Sequence, residues 1–423
     1  MTEKIAEFAY DLQSGISSFN IPDFDDLTKV GMAATLAIHI KGLGEIKYDV
    51  LRGVSEHFMG VPSHSLEPVL RILSEIGFVI LTENGRKIEK VSPTIPVFET
   101  VYSTISSFAN SELTFNSHEQ AIVEILSALE GAPRNKDNLF NSLGIEKPLF
   151  DRTMLIGSKS GIISEHLARG RNIILSPLYF ADNLDGLADA AAAVSASALQ
   201  GTLRKVKNNQ GWPLSMVMAT GEIGGVKLDV AEQALVEKLS SEGVMKPPTI
   251  KFGSRTESFV FTPQPGRARL NAANREVYER AMALVSAVRK GQLLPDEYAI
   301  RLPVRILESL REKGYLRSNS EASTQYLNLV YLKVGTLKPG ANGHQFHLTK
   351  TPENEAALNL AIQLLRSGSL AGMEVDQNAR IALGQDEKYI QSLISARAIK
   401  ERATPIANEQ AIHEFEQLLL RFE

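Results

Sequence analysis

The stretch SLEPVLRILSEIGFVILTENGRKIEKVSP, residues 65–93, decides the fold. Its first half carries Val69, Leu70, Ile72, Leu73 and Ile76 at helical spacing, a stripe that predicts an amphipathic helix. Gly77 stands where the stripe ends, and glycine readily adopts the left-handed backbone that stops a helix. Phe78-Val79-Ile80 then begins a strand, Glu83-Asn84-Gly85-Arg86 supplies a turn, and Ile88–Val91 returns, so the second half predicts a β-hairpin.

The same order recurs along the chain. A second copy is PLFDRTMLIGSKSGIISEHLARGRNIILSP (148–177) and a third is AEQALVEKLSSEGVMKPPTIKFGSRTESFVFTP (231–263). A fourth begins PVRILESLREKGYLRSNSEASTQYLNLVYLKVG at residue 303 and continues to HQFHLTKTP, ending at 352. Gly77, Gly161, Gly243 and Gly314 are expected to follow a helix and precede a hairpin. Further helices are expected before the copies: Tyr48–Met59 for the first, Glu119–Leu129 and Asn138–Leu143 for the second. Ser117 with Gln120 reads as a capping box for the longer one.

Composition sets the outer bounds. With 423 residues, 43% hydrophobic and 22% charged, the chain suits three or four small folded domains. It has no cysteine, which excludes disulfides and thiolate zinc sites and fits a cytoplasmic location. The N-terminal MTEKIAEFAYD does not read as a secretory signal. The neutral stretch Val30–Ile40 is too short for a membrane span and predicts a buried helix. The net charge of −4 argues against nucleic-acid binding by bulk charge, but the charge is uneven. Residues 1–62 hold 5 basic and 9 acidic side chains, residues 265–340 hold 13 and 7, and residues 351–423 hold 7 and 11.

Helix, helix, helix, glycine and hairpin, repeated, resembles the winged helix-turn-helix superfamily over most of residues 40–352. The resemblance implies a mainly α chain with small β-hairpins (α+β), built of about four tandem modules plus terminal helices. The expected boundaries are 1–110 for N-terminal helices and the first module and 111–185 for the second. An Ala-rich helix with the third module comes next at 186–265, then a basic fourth module at 266–368, and C-terminal helices at 369–423. It also implies a third helix that enters the DNA major groove and a wing that touches backbone or minor groove.

The candidate DNA contacts come from that resemblance. On the expected recognition helices they are Lys147, Arg152 and Lys159 in copy two, and Arg301, Arg305 and Arg311, with Lys313 near the end, in copy four. On the wings they are Arg86, Lys87 and Lys90, then Arg169 and Arg171, then Lys246, Lys251 and Arg255; Arg267 and Arg269 sit in a linker. Arginine and lysine bind phosphate, and arginine also pairs with guanine. Copy three carries Glu232, Glu237 and Glu242 against Lys238, a pattern that repels phosphate. The plain alternative for every one of these residues is a solvated polar surface.

Other features read as structure. Asp185–Leu199 is an Ala-rich helix joining copies two and three, and Trp212 is a core or junction plug. Gly221–Gly225 is a turn. Tyr326, Tyr331, Phe346 and His347 are expected within a long fourth hairpin, as core or cross-strand aromatics. His344 and His347, three apart on a strand, point to opposite faces and do not suit a metal. No Walker loop, dinucleotide fingerprint, HExxH or GxSxG is present, so no enzyme activity and no cofactor are expected.

The expected function is sequence-specific or structural binding of double-stranded DNA, as a transcription regulator or an accessory factor in genome maintenance or defence. The alternative is a protein-interaction scaffold whose modules do not bind DNA, like condensin accessory subunits. Ile412, Phe415, Leu418 and Leu419 share a helical face, which suggests a homodimer held by terminal helices; no membrane contact is expected.

Overall fold

Gly77, Gly161 and Gly243 have φ of 76°, 69° and 70°, and each stands between a helix and a hairpin, as the sequence predicts. The next residue in each case donates its N–H to a carbonyl five positions back. These bonds are Phe78 to Leu73 at 2.8 Å, Ile162 to Gly157 at 2.9 Å and Val244 to Leu239 at 3.0 Å. This is the Schellman closure of a helix end, and it aims the chain into the first strand of the hairpin.

The computed structural model describes residues 4–16, 21–96, 98–245, 248–252, 255–266, 270, 274–293, 299–368 and 375–385. The chain is mainly helical, with antiparallel sheets of two or three strands, an α+β protein. It forms two units: Met1–Gly31 with Ala109–Val375, and Met32–Phe108 with Asp376–Glu423. Among the described residues no helix is long and apolar enough to cross a membrane. The face at Ile412–Leu419 lies outside the described residues, as do Arg267, Arg269 and Lys246.

Unit one opens with α1 (Ile5–Ile16) and the first turns of α2 (Asp25–Ile40). Unit two takes up the rest of α2, then β1 (Ile46–Lys47), α3 (Tyr48–Phe58), α4 (Ser63–Glu75), β2 (Val79–Asn84), β3 (Lys87–Pro93) and most of α5 (Phe98–Glu112). Its sheet order is β1-β3-β2, so the short strand before α3 pairs with the returning strand of the hairpin. Leu66, Val69, Leu70 and Leu73 form the buried side of α4. Full burial of side chains of this size stabilises by roughly 1.5–3 kcal/mol each.

Unit one repeats the block. First come α6 (Ser117–Leu129), β4 (Arg134–Asn135), α7 (Lys136–Leu143), α8 (Lys147–Lys159), β5 (Ser164–Ala168) and β6 (Arg171–Leu175), with sheet order β4-β6-β5. The cap of α6 is Asn116, one residue before the expected Ser117. Its side chain accepts from His118 and Glu119 N–H, and Glu119 accepts from Asn116 N–H, which closes the box. The other Glu119 oxygen accepts from Leu27 N–H of α2 at 2.8 Å, so the carboxylate is buried for tertiary reasons that local sequence does not carry.

The Ala-rich segment is two helices rather than one. α9 (Leu184–Ala193) ends at Val194, and Ser195 caps α10 (Ala196–Asn208) by accepting from Ala198 N–H. After α10 come β7 (Trp212–Pro213), α11 (Leu214–Thr220) and a small hairpin, β8 (Glu222–Ile223) with β9 (Val226–Lys227), turning at Gly224-Gly225 as expected. Next are α12 (Val230–Ser241), β10 (Thr249–Phe252) and β11 (Arg255–Val260), with sheet order β10-β11-β7.

The last block corrects the expected repeat. α13 (Arg275–Lys290) and α14 (Pro303–Lys313) lead to Gly314, which does cap a helix, with φ 77°. No hairpin succeeds it directly. Instead Tyr315 and Asn319 bridge to His347 and His344. Two short helices come next, α15 (Ala322–Gln325) and α16 (Leu327–Tyr331), and only then the hairpin of β12 (Gly335–Gly340) and β13 (Gly343–Leu348). Tyr326 and Tyr331 are therefore not in the hairpin. Tyr326 is buried with its ring 5.3 Å from Phe346, and Tyr331 is exposed at the end of α16. Ala322, Gln325, Tyr326 and Leu329 are buried at helical spacing, which explains why this segment coils.

α17 (Pro352–Ser367) packs on α13 and α14 and completes a core that includes Tyr278, Leu307, Leu310, Phe346 and Leu358. Trp212 sits at a junction, as expected: the Arg289 guanidinium of α13 lies 4.9 Å from its ring. Burial pushes that guanidinium down to about 10. In unit two, α18 (Gln377–Leu383) packs on α3, and Asp376 N–H donates to Nε2 of the buried His39 at 3.0 Å.

Candidate nucleic-acid interface

The helix directly before each hairpin shows what each block offers to a partner. α4 exposes Glu67, Arg71 and Glu75, and Arg71 is already held by Glu67 at 2.7 Å and Glu83 at 3.3 Å. α8 exposes Lys147, Arg152, Leu155 and Lys159. α12 exposes Val230, Ala231, Ala234 and Glu237, with Val230 85% exposed. α16 exposes Leu327 and Tyr331, with Tyr331 73% exposed. Of these four helices α8 presents the most cations, three, beside the exposed Asp151.

Even on α8 two of the three are engaged. Lys147 meets Asp151 at 3.1 Å, and Arg152 meets Asp23 at 3.0 Å. Both pairs are solvent-exposed, and such pairs are individually weak. Lys159 is exposed in the last turn, without a partner among the described residues.

The hairpins differ in the same way. Arg86 and Lys87 sit at the tip of β2–β3, exposed and without a partner among the described residues; Lys90 nearby pairs with Glu45 at 2.7 Å. Arg169 and Arg171 are occupied. Arg169 forms a two-pronged pair with Asp189 of α9, at 2.8 and 3.0 Å, and Arg171 donates to the Ala192 carbonyl at 3.3 Å. That neighbourhood holds the Asp189 carboxyl well below the usual range, through Arg169 and then Lys238. The side chains of Lys251 and Arg255 lie outside the described set.

Arg301, Arg305 and Arg311 do not lie on the helix before the hairpin. Arg301 precedes α14, and the other two are on it. They nevertheless form one cationic surface. Arg305 reaches Glu308 at 3.4 Å, and Arg366 of α17 binds the same carboxylate. Two guanidiniums on one acid leave a net positive charge. Arg311 contacts Asn359 at 3.4 Å, while Arg301 and Lys313 are exposed with no partner among the described residues. The Lys350 side chain runs past Gly314. Arg366 and Lys350 were not evident from sequence, because only the packing of α17 on α14 brings them to this face.

Comparison with known protein families and with curated proteins finds no match. The site therefore rests on its own geometry.

Two open grooves accompany these surfaces. In unit two, about 590 Å³ lies between α4 and β2, lined by Arg71, Ser74, Ile80, Glu83 and Thr94. In unit one, about 720 Å³ lies where α6 meets the turn into α8, lined by His118, Gln120, Glu124, Glu146 and Arg152. A hydrogen-bonded relay runs from Ser164 Oγ to His166 Nε2 at 2.8 Å and from His166 Nδ1 to Asp185 at 2.7 Å. The residue order is that of a nucleophile relay. Ser164 and His166 lie on the sheet face shared with Ile173 and Leu175, against α9, and neither groove reaches them. The geometry suits an element contact rather than a substrate site.

Proposed function

We propose that this chain is a cytoplasmic DNA-binding protein of four tandem winged helix-turn-helix modules that grips duplex DNA through its phosphates rather than by reading bases. The block of helix, short strand, two helices and hairpin supports the winged-helix reading. So does the pairing of the short strand with the returning strand in three sheets, with a bridged equivalent at Tyr315–Asn319. In this reading the fourth recognition helix is α16, and α14 is the first helix of its module.

The observation that carries the functional reading is the cationic face of α14 and α17, where Arg301, Arg305, Arg311, Lys313 and Arg366 outnumber two acids, the doubly bound Glu308 and the exposed Glu312. Cations on a first helix can contact backbone but do not enter the groove, so the expected behaviour is affinity without much sequence preference. The free wing tip at Arg86-Lys87 offers a second phosphate contact. The test is competition between two unrelated duplexes of equal length. Affinities within about threefold agree with phosphate binding, and a difference on the scale of specific operators, roughly a thousandfold, contradicts it.

A second reading, a protein-interaction scaffold, is favoured by the exposed apolar residues Val230 on α12 and Leu327 and Tyr331 on α16. Proteins that retain no salt-sensitive DNA affinity but lose a protein partner on Val230→Glu or Tyr331→Glu substitution fit that reading instead. Homodimerisation through the terminal helices is a further part of the proposal. Light scattering that gives a monomer at tens of micromolar removes it.

A further inference from the structure

Helix α9 lies against the second hairpin and against α12, and it engages His166 and both arginines of that hairpin. Asp185 Oδ1 meets His166 Nδ1 at 2.7 Å. Asp189 holds Arg169 as a fork, Nε to Oδ1 at 2.8 Å and Nη2 to Oδ2 at 3.0 Å. The Ala192 carbonyl accepts from Arg171 at 3.3 Å. On its other side, Asp189 also accepts from Lys238 of α12 at 2.8 Å, and Asn183 donates to the Glu242 carbonyl at 2.6 Å.

We propose that α9 is an internal mask, whose Asp189 carboxylate occupies on the second wing the place that a DNA phosphate would take. The inference rests on the DNA-binding reading and adds to it a regulated site: module two contributes its wing only when α9 is displaced. A carboxylate seated in an arginine fork uses the same two-pronged geometry that a phosphate uses, so the two compete for the same donors.

The seat of α9 suits a removable element. Leu187 is the one large side chain it buries fully; the rest of its buried face is Ala188, Ala190, Ala191 and Ala192. Small side chains remove less apolar surface of their own from water than a leucine-lined face would, and the larger part of what displacement exposes is the sheet face of Ile173 and Leu175 beneath α9. The pairs themselves are partly solvent-exposed, with Arg169 at 54% and Asp189 at 36%, and they are open to competition by anions. Asn183, which caps α9, sits in the left-handed region with φ 42°, a conformation that asparagine adopts more readily than most residues.

The test compares the full chain with Asp185→Asn/Asp189→Asn, which keeps size and removes the charges, by anisotropy on a random-sequence duplex at two salt concentrations. The double variant is expected to bind roughly five- to tenfold tighter at low salt, with a salt slope steeper by about one to two. Adding Arg169→Ala and Arg171→Ala should cancel the gain. The single Asp189→Asn serves if the double variant is not folded by circular dichroism. A folded variant that binds no tighter than a wild type that does bind overturns the mask and leaves the DNA reading standing. If neither protein binds DNA, both fall.

Discussion

Lys333 holds in the fourth block the backbone position that Gly243 holds in the third. Both have positive φ, 57° and 70°. The next residue closes the helix end in the same way, Val334 N–H to the Leu329 carbonyl at 2.8 Å and Val244 N–H to the Leu239 carbonyl at 3.0 Å. Counted through these positions, Gly77, Gly161, Gly243 and Lys333 are spaced 84, 82 and 90 residues apart. The repeat therefore persists into the fourth block, with a lysine in place of the glycine.

A lysine in the left-handed region bears strain that a glycine does not, on the order of 1 kcal/mol, partly offset by the greater freedom of glycine in the unfolded chain. Lys333→Gly is expected to raise the unfolding free energy of unit one by about 0.5 kcal/mol, and Gly243→Ala to lower it by about 1 kcal/mol. Urea denaturation checks both. A Lys333→Gly protein less stable than wild type would show that the lysine side chain contributes more than its backbone costs.

Three of the four expected helix–glycine–hairpin junctions were legible because a local signal, an apolar stripe ending at glycine, coincided with the real junction. The fourth misled for a physical reason. Gly314 caps a helix well, but any helix can end that way, and a cap does not specify whether a strand or another helix comes after it. The true junction carries Lys333, which has no left-handed signature in sequence. The candidate site was legible as a basic region but not as a surface. Arg305 and Arg366 meet on Glu308 across 61 positions, and Arg169 is claimed by Asp189, because tertiary packing pairs groups that sequence keeps apart.

The buried His39 of unit two gives a pH dependence. Burial lowers its pKa below the ordinary 6.5, against the opposing Thr35 carbonyl bond, and its Nε2 accepts from Asp376 N–H. Among the charged groups near it, Asp376 favours the proton and Arg380 opposes it. A depressed histidine means that the unfolded chain binds more protons than the folded one, so stability falls as pH drops through and below about 6.5. Urea midpoints for unit two at neutral and mildly acid pH should decline, and His39→Gln should flatten the decline. A midpoint that rises on acidification contradicts the neutral, Nε2-accepting state.

The cationic face predicts two opposite effects. Arg301→Ala with Arg305→Ala should weaken DNA binding at low salt and flatten the salt slope by about one to two, since each phosphate contact contributes about one. Thermal stability should change little, by about 0.5 kcal/mol or less, because both side chains are exposed and Glu308 keeps Arg366. Glu308→Gln should do the reverse, freeing two guanidiniums and tightening binding severalfold. Anisotropy titrations read both, and equal affinities in folded variants would move the contact elsewhere.

The most direct measurement is the affinity of the wild-type chain for a random-sequence duplex across a series of salt concentrations. Phosphate gripping predicts that log K falls linearly with log salt, with a slope of about three or more in magnitude, for contacts spread over the α14–α17 face. No measurable binding at low salt with tens of micromolar protein, or an affinity indifferent to salt, would contradict it.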